Sequence, residues 1–161
     1  MLSTAISGEV YATRSSGTIN WGNINCSYSN TSTKEGLVMN QTGSDDNLTR
    51  TFNDTLHSAF SVGSVNILAN SCPSTKTYVN DTRNANNSNL FQEIILYDGG
   101  RNYTLNFSDD PAFTNIVYTT IISPAAFNYR KEVADFQLLV PERGYASWVS
   151  TTAYYFYVEL S

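Results

Sequence analysis

The chain has 161 residues and a formal net charge of −5, and charged residues make up only 14% of it. Its length suits a single domain that buries enough surface to fold without a metal. The acidic balance argues against a nucleic-acid partner, which would select a basic stripe. Aromatic residues at 13% argue against disorder. Asn, Ser and Thr together supply 55 residues, and such a polar, uncharged composition favours an extracellular β-protein.

The first predicted element is an extended strand over residues 2–12, followed by a polar, link-like stretch at 13–17. Alternation along the strand places six residues on one face: Leu2, Thr4, Ile6, Gly8, Val10 and Ala12. Two interpretations stay open. The strand is either the first strand of the chain's own sheet or a donor strand that completes the sheet of the next subunit. The second divides the chain into a donor strand, 1–13, and a single domain, 14–161.

Further segments with a period of two, separated by turn-forming residues, predict strands along the rest of the chain. They lie at 17–25, 56–62, 65–69, 76–80, 91–97, 102–107, 115–122, 133–140 and 145–160. Asp98-Gly99-Gly100 is typical of a hairpin turn. Residues 28–54 and 81–89 are poor in aliphatic side chains and indicate long loops. About ten short strands without a helix predict an all-β, antiparallel β-sandwich of immunoglobulin-like or pilin-like type.

The two cysteines, Cys26 and Cys72, fit no zinc pattern, since a zinc site needs four ligands and the chain has one histidine. In an oxidising compartment they predict a disulfide, and the alternative is two buried free thiols. A bridge closing a loop of about 46 residues stabilises the fold by roughly 4 kcal/mol in the chain-entropy model.

The strongest local signal is the N-glycosylation sequon, Asn-x-Ser/Thr. At the Ser and Thr content of this chain, 18 asparagines would give about four sequons by chance. Nine are present, at Asn25, Asn30, Asn40, Asn47, Asn53, Asn80, Asn86, Asn102 and Asn106. The excess predicts a heavily N-glycosylated surface protein, and unused sequons in Asn/Ser/Thr-rich loops are the alternative. The sequon-free C-terminal third is expected to be more buried, in the core or against a partner.

The C-terminal segment is unusually aromatic and alternates between two faces. Its apolar face carries Trp148, Tyr154, Phe156, Val158 and Leu160, whereas Tyr155, Tyr157 and Glu159 fall on the other. This pattern predicts a central strand that fills the core. The alternative is a strand with one face packed against a neighbouring subunit.

The alternating N-terminal strand with Gly8, the polar link to Gly17, the all-β remainder and the dense sequons resemble the subunits of archaeal thread filaments. Those are glycosylated, pilin-like proteins joined head to tail by donor-strand complementation. The resemblance implies an extracellular filament used in adhesion or biofilm formation. The resemblance implies one set of subunit-binding residues in this chain, the donor-strand positions Leu2, Thr4, Ile6, Gly8, Val10 and Ala12.

Signals for catalysis and for metal binding are weak. His57 is the only histidine, and a hydrogen-bonded or exposed role is expected for it rather than a place in a catalytic triad. The acidic pairs Asp45-Asp46 and Asp109-Asp110 are typical of turns, with calcium binding as the alternative. A Lys–Asn isopeptide bond is also open. We predict no enzymatic activity, no cofactor and no metal site.

The sequence has no run of 18 apolar residues, so no membrane-spanning helix is predicted. The first ten residues do not form a signal peptide, so secretion would imply one removed by processing. The first hypothesis is an extracellular filament subunit whose partners are further copies of itself, N-glycans and the surfaces of host or neighbouring cells. Alternatives are a non-filamentous surface glycoprotein (S-layer-associated, adhesin or viral) and a secreted carbohydrate-binding module or enzyme.

Overall fold

The computed structural model describes residues 6–14, 19–27, 35–37, 39–41, 43–76, 78–79, 82–83, 90–99, 116–142 and 151–161. Within them the chain forms twelve strands, all paired antiparallel. These are β1 (Gly8–Thr13), β2 (Ile24–Cys26), β3 (Phe60–Val62), β4 (Val65–Ile67), β5 (Ser74–Thr75), β6 (Tyr78–Val79), β7 (Thr82–Arg83), β8 (Glu93–Asp98), β9 (Ile116–Ile121), β10 (Ala126–Phe127), β11 (Val133–Ala134) and β12 (Tyr155–Leu160). The predicted all-β fold is confirmed, and the two-sheet sandwich stays a prediction.

Helical structure in the described residues is short. A 3₁₀ turn spans Trp21–Asn23, where the sequence predicts part of a longer strand at 17–25. Two short helical stretches lie in the predicted loop 28–54, namely residues 35–37 and the single turn α1 (Leu48–Thr51). The Asn47 side chain caps α1 by accepting a hydrogen bond from the Arg50 backbone N–H at 3.1 Å. Such a cap satisfies a backbone donor that the helix itself leaves unpaired.

The main sheet has six strands, with five in the order β12-β1-β9-β8-β2 and β5 pairing with β8. The hairpin β3–β4 and the pairs β6–β7 and β10–β11 are separate two-stranded sheets. The predicted strand at 102–107 lies outside the described residues. The predicted strand at 133–140 is reduced to β11, because the residues after it pack against the sheet without pairing as a strand.

Apolar clusters cover both faces of the inner strands β1, β9 and β8 of the main sheet. The cluster on one face, here called the Tyr11-side cluster, contains Tyr11, Ile94, Leu96 and Val117 from the sheet together with Phe60 and Ile67 from the β3–β4 hairpin. The cluster on the other, the Ala12-side cluster, contains Ala12, Ile95, Ile116 and Tyr118 together with Leu48 and Phe52 from around α1. Burial on both faces explains why β8 reads as the continuous apolar run Ile94–Leu96 rather than as an alternation.

The predicted disulfide between Cys26 and Cys72 is present, with 4.8 Å between the two Cα atoms. It joins the last residue of β2 to the segment that leads from the β3–β4 hairpin to β5. Cys72 is fully buried in the Tyr11-side cluster. The bridge therefore ties the covering hairpin to one edge of the main sheet.

Candidate functional site

Strand β1 lies between β9 and β12; it pairs with β12 over its whole length and with β9 from Glu9 to Ala12. Beyond the strand end, the Ile122 N–H donates to the Gly8 carbonyl at 2.9 Å, and the Ser161 N–H donates to the Ser7 carbonyl at 3.1 Å. Both edges of β1 are thus hydrogen-bonded, as expected for an interior strand. We call the space between β9 and β12 the β1 slot, and it is the candidate functional site.

The structure places the predicted donor strand in the β1 slot of its own chain. Gly8, Val10 and Ala12 occupy the slot, and each lies opposite a residue of β12. Ile6 lies before β1 and is 47% exposed, whereas Leu2 and Thr4 lie outside the described residues. For residues 8–12, this arrangement agrees with the interpretation in which the strand is the first strand of the chain's own sheet. Donation of the strand to a neighbour stays a prediction.

Gly8 is required by the geometry at one end of the slot. Its φ of +136° is a conformation that side chains other than glycine rarely adopt. A Cβ atom at this position would overlap the carbonyl oxygen of Glu159 and lie 2.9 Å from the Cα of Leu160. The backbone of β12 therefore approaches β1 at this point more closely than any larger residue allows.

On the Tyr11 side, aromatic rings and a carboxylate hold β1 and β12 together. Trp21 lies between the rings of Tyr11 and Tyr157, with centroid distances of 5.3 and 5.2 Å. The Tyr11 hydroxyl donates to a Glu159 carboxylate oxygen at 3.0 Å, and the Gly63 N–H lies 3.1 Å from both oxygens of the same group. Glu159 thereby connects β12 to both β1 and the β3–β4 turn.

Glu9 lies directly opposite Glu159 on β12, so two carboxyl groups share one face of the sheet. Glu9 is 8% exposed. Burial, together with the negative charge of Glu159, raises the pKa of Glu9 from 4.5 to about 7. Like charges directly opposite each other destabilise a sheet. The β1–β12 pairing therefore contains a group that titrates near neutral pH and whose ionisation weakens the pairing.

A second buried carboxyl, Glu93, lies on the Ala12 side at the start of β8. It accepts a hydrogen bond from the Leu139 N–H at 2.6 Å and is fully buried. Burial raises its pKa well above the ordinary value. The bond fixes the segment that follows β11 against this face of the sheet.

The end of β1 carries an ion pair. Arg14, the residue after the strand, donates through Nε and Nη2 to the two carboxylate oxygens of Glu35, both at 2.6 Å. The Glu35 side chain is 1% exposed and that of Arg14 is 20% exposed. Bidentate pairing of this kind combines strength with a fixed geometry. It holds the carboxyl end of β1 to the helical residues at 35–37.

Four of the nine sequon asparagines are described. Asn25, Asn40 and Asn53 are exposed, as glycan attachment requires. Asn47 is half-buried, and its Nδ2 donates to the Ser44 carbonyl at 3.0 Å while its oxygen caps α1. A glycan on this nitrogen would compete with the bond to Ser44, so Asn47 is less suitable than Asn40 and Asn53. The Asn25 Nδ2 makes a similar bond, donating to the Asn23 carbonyl at 3.2 Å. Asn30, Asn80, Asn86, Asn102 and Asn106 lie outside the described residues.

The weaker candidates have ordinary structural partners. His57 is buried, its Nδ1 lies 2.8 Å from the Ser58 carbonyl, and its Nε2 accepts from the Cys72 N–H at 3.0 Å. The prediction of a hydrogen-bonded histidine is thus confirmed.

Asp45 accepts a hydrogen bond from Arg50 at 2.9 Å, whereas Asp109-Asp110 lies outside the described residues. Lys76 pairs with Asp54 at 3.4 Å. Among the residues that the structure describes, no three His, Cys, Asp or Glu side chains form a group that could hold a metal ion.

The predicted role of the C-terminal segment as a central strand is wrong. Strand β12 is the last strand of the main sheet, and only its Tyr157 side packs against a core cluster. Phe156, Val158 and Leu160 are 58%, 60% and 67% exposed. The expected burial of the sequon-free third in the chain's own core is therefore also wrong for this strand, because no described element covers its outer face.

Sequence reasoning missed Arg14, Glu35, Trp21 and Glu159. Arg14 lies in the predicted polar link, yet it is the only basic residue before Lys34 and directly follows the alternating strand, and this position marks it in the sequence. Nothing in the local sequence marks Glu35 as its partner, since 20 residues separate the two.

Comparison of the chain with protein-family models, with curated proteins and with solved structures finds no match. Among the described residues, no helix is long and apolar enough to cross a membrane.

Proposed function

We propose that the chain is a structural subunit of an extracellular, N-glycosylated filament, in which copies are joined head to tail by exchange of β1. The observation that carries this proposal is the place of β1: a strand near the N-terminus fills an interior slot whose two sides come from the C-terminal half of the chain. A β1 from a second copy would meet the same backbone partners. Adhesion or biofilm formation is the role we propose for the filament.

Exchange of β1 needs no new contacts in the slot, because the contacts there are the same whichever copy supplies the strand. Swapping an identical element between copies is a low-cost route to assembly. The balance between a closed monomer and an exchanged chain then depends on the link after Arg14 and on concentration. Residues 15–18, Ser-Ser-Gly-Thr, are small and polar, a composition that suits such a link.

The distribution of sequons and apolar side chains supports an assembling protein. Nine of the thirteen exposed large apolar side chains of the described residues lie between Phe127 and Leu160. All nine sequons precede this region. Bulky glycans on residues 25–106 would leave the C-terminal surface uncovered, and exposed apolar surface is typical of sites that contact a partner.

The second candidate is a non-filamentous secreted surface glycoprotein, such as an S-layer-associated protein, an adhesin or a viral surface protein. One observation favours it: the described β1 is already paired within its own chain. A chain that fills its own slot needs no neighbour to complete the sheet.

An engineered disulfide distinguishes the two candidates. Val10 and Val158 lie directly opposite each other in β1 and β12. Ser7 and Ser161, which continue the same ladder, form a hydrogen-bonded pair, since the Ser161 N–H donates to the Ser7 carbonyl. Hydrogen-bonded and non-hydrogen-bonded pairs alternate along an antiparallel ladder, so Val10–Val158, three pairs further on, is a non-hydrogen-bonded pair. Cα atoms in such a pair are about 4.5 Å apart, within the range that a disulfide spans.

We expect Val10→Cys/Val158→Cys protein, oxidised after assembly, to give a covalent ladder on a non-reducing gel. The matched control is Ser61→Cys/Asn66→Cys, an exposed pair directly opposite in the β3–β4 hairpin, which should bridge within each copy and remain monomeric. A bridged monomer for both variants would contradict exchange and favour the second candidate.

Glycosylation is tested separately by intact-mass measurement of native protein. Occupied sequons should raise the mass well above the 17.8 kDa of the bare chain. We expect Asn47→Gln to remove no glycan, because the Asn47 Nδ2 donates to the Ser44 carbonyl, and Asn53→Gln to remove one glycan. A native mass equal to that of the bare chain would contradict the glycoprotein assignment.

A further inference from the structure

The apolar pattern of β1 does not by itself fix how the strand sits in its slot. A slip of one residue would exchange the two faces, but a slip of two residues keeps every side chain on its own face. Such a slip would bring Ile6 or Val10 to the place of Gly8, where a Cβ would overlap the carbonyl oxygen of Glu159. Gly8 therefore opposes the slip at one end of the slot, and the register at the carboxyl end of β1 depends on a second contact.

The Arg14–Glu35 pair lies at the carboxyl end of β1, where it can select the register of the strand. Glu35 is almost completely buried, and the Arg14 guanidinium binds both of its carboxylate oxygens at 2.6 Å. The hydrogen bonds to Glu35 also raise the pKa of Arg14 above its ordinary value. A slip of two residues would move Arg14 by about 7 Å. It would leave the Glu35 carboxylate buried without its cation, which is strongly destabilising.

We propose that the buried Glu35 selects the strand that fills the β1 slot, accepting a second copy's β1 only in the register that brings its Arg14 to this carboxylate. The inference rests on the proposed exchange of β1 and names the partner as a second copy of the same chain. Gly8 excludes larger residues at one end of the slot, and Glu35 demands a guanidinium at the other. A foreign strand with similar apolar alternation but no arginine at this position is rejected.

The test uses full-length chains with reversed charges. Arg14→Glu protein places a carboxylate beside Glu35, and Glu35→Arg protein places two guanidinium groups together, so each variant alone has a mismatched slot. In an equimolar mixture, the Arg14→Glu strand matches the Glu35→Arg slot, and the Glu35→Arg strand, which keeps Arg14, matches the unmodified Glu35. Every slot in an alternating chain is then matched. The double variant carries both changes, so its slot is matched whether its own β1 or the β1 of a second copy fills it.

We expect each single variant to lose assembly by at least about 100-fold, and the mixture and the double variant to recover it. The Val10→Cys/Val158→Cys ladder, built into each variant, measures assembly. The matched control is Arg50→Glu, which reverses a charge in the exposed pair with Asp45 and should assemble like the unmodified protein. Single variants that assemble normally would overturn the inference while leaving exchange intact. Recovery by the double variant but not by the mixture would also overturn the inference, because a matched strand from the other variant would then not be accepted. A monomer bridged within its own chain in every sample, including the protein with Arg14 and Glu35 unchanged, would contradict the proposed function.

A peptide measurement covers the case in which a reversed charge prevents folding. Labelled peptides of residues 1–14, with Arg14 or with Arg14→Glu, are added to the unmodified full-length chain under mild destabilisation. The Arg14 peptide should be captured at least about tenfold more than the Arg14→Glu peptide. Equal capture would overturn the selection by Glu35. Capture of neither peptide would contradict exchange itself.

Discussion

Strands β1 and β12 have the same length, alternate in the same way and pair with each other along their whole length, yet their surroundings differ. All six residues of β1 are buried, whereas Phe156, Val158 and Leu160 of β12 are exposed. The difference follows from their positions, since β1 has a strand on each side and a cluster on each face. Strand β12 lies at the end of the main sheet and has a cluster on one face only. Alternation tells which residues share a face, but it does not tell how many faces are covered.

The largest expected effect comes from placing the same charge on the two strands. Val10 is 2% exposed and Val158 is 60% exposed, although they lie directly opposite each other. Val10→Asp buries a carboxylate without a partner and should destabilise the fold by at least about 3 kcal/mol. Val158→Asp should cost no more than about 1 kcal/mol. Urea denaturation measures both, and equal losses would contradict the difference in burial.

Gly8→Leu should give the next largest effect, because the side chain would meet the β12 backbone and because the φ of +136° suits glycine alone. We expect a loss of roughly 2–4 kcal/mol, from overpacking and backbone strain together. Thermal denaturation measures it. Gly43→Leu is the matched control, since a Cβ there meets no atom within 4 Å. A Gly8 variant as stable as the Gly43 variant would show that β12 does not approach β1 closely.

The sequence predicted the side-chain arrangement of β1 more accurately than the exposure of β12. The shared face of Gly8, Val10 and Ala12 follows from local alternation, and the Cys26–Cys72 bridge follows from the pairing of the two cysteines. The burial of Tyr11 does not, because it depends on Trp21 and on the β3–β4 hairpin, whose contacts with β1 are tertiary. The exposure of β12 was missed for the same reason: an apolar alternation looks alike in a central strand and in an edge strand.

The Glu9–Glu159 pair predicts a pH dependence confined to the β1–β12 pairing. The pKa of Glu9 is about 7 in the folded chain and 4.5 when unperturbed, so the folded state binds more protons between these values. The contribution of Glu9 to the unfolding free energy is therefore fully present below about pH 4.5, and it is lost as the pH rises from there to about 7. Allowing for partial solvent screening, we expect a loss of roughly 2 kcal/mol between these limits.

Glu9→Gln should remove this dependence, so the difference in unfolding free energy between the unmodified chain and the variant is the quantity to measure. Glu93, whose raised pKa acts in the same direction, and His57, whose lowered pKa acts in the opposite one, contribute equally to both proteins. Glu132→Gln, at an exposed position, is the control. A difference that does not grow between pH 5 and pH 8 would rule out Glu9 as the titrating group.

The smallest effect on stability is expected from the outer face of β12. Replacing Phe156, Val158 and Leu160 by Thr keeps a residue type that strands favour and removes apolar surface that the described fold leaves exposed. Each change should alter the unfolding free energy by no more than about 0.5 kcal/mol. Association should respond much more strongly, because each of these side chains contributes roughly 1.5–3 kcal/mol if a neighbouring copy buries it.

Light scattering over a range of protein concentrations measures association, and urea denaturation of the same samples measures folding. Leu68→Thr is the matched control, since Leu68 is 65% exposed but precedes the sequon-free third. Loss of association in the triple variant with stability unchanged would assign β12 to contacts between copies. A large loss of stability would instead mean that the outer face of β12 is covered within the chain, and the contrast with β1 would disappear.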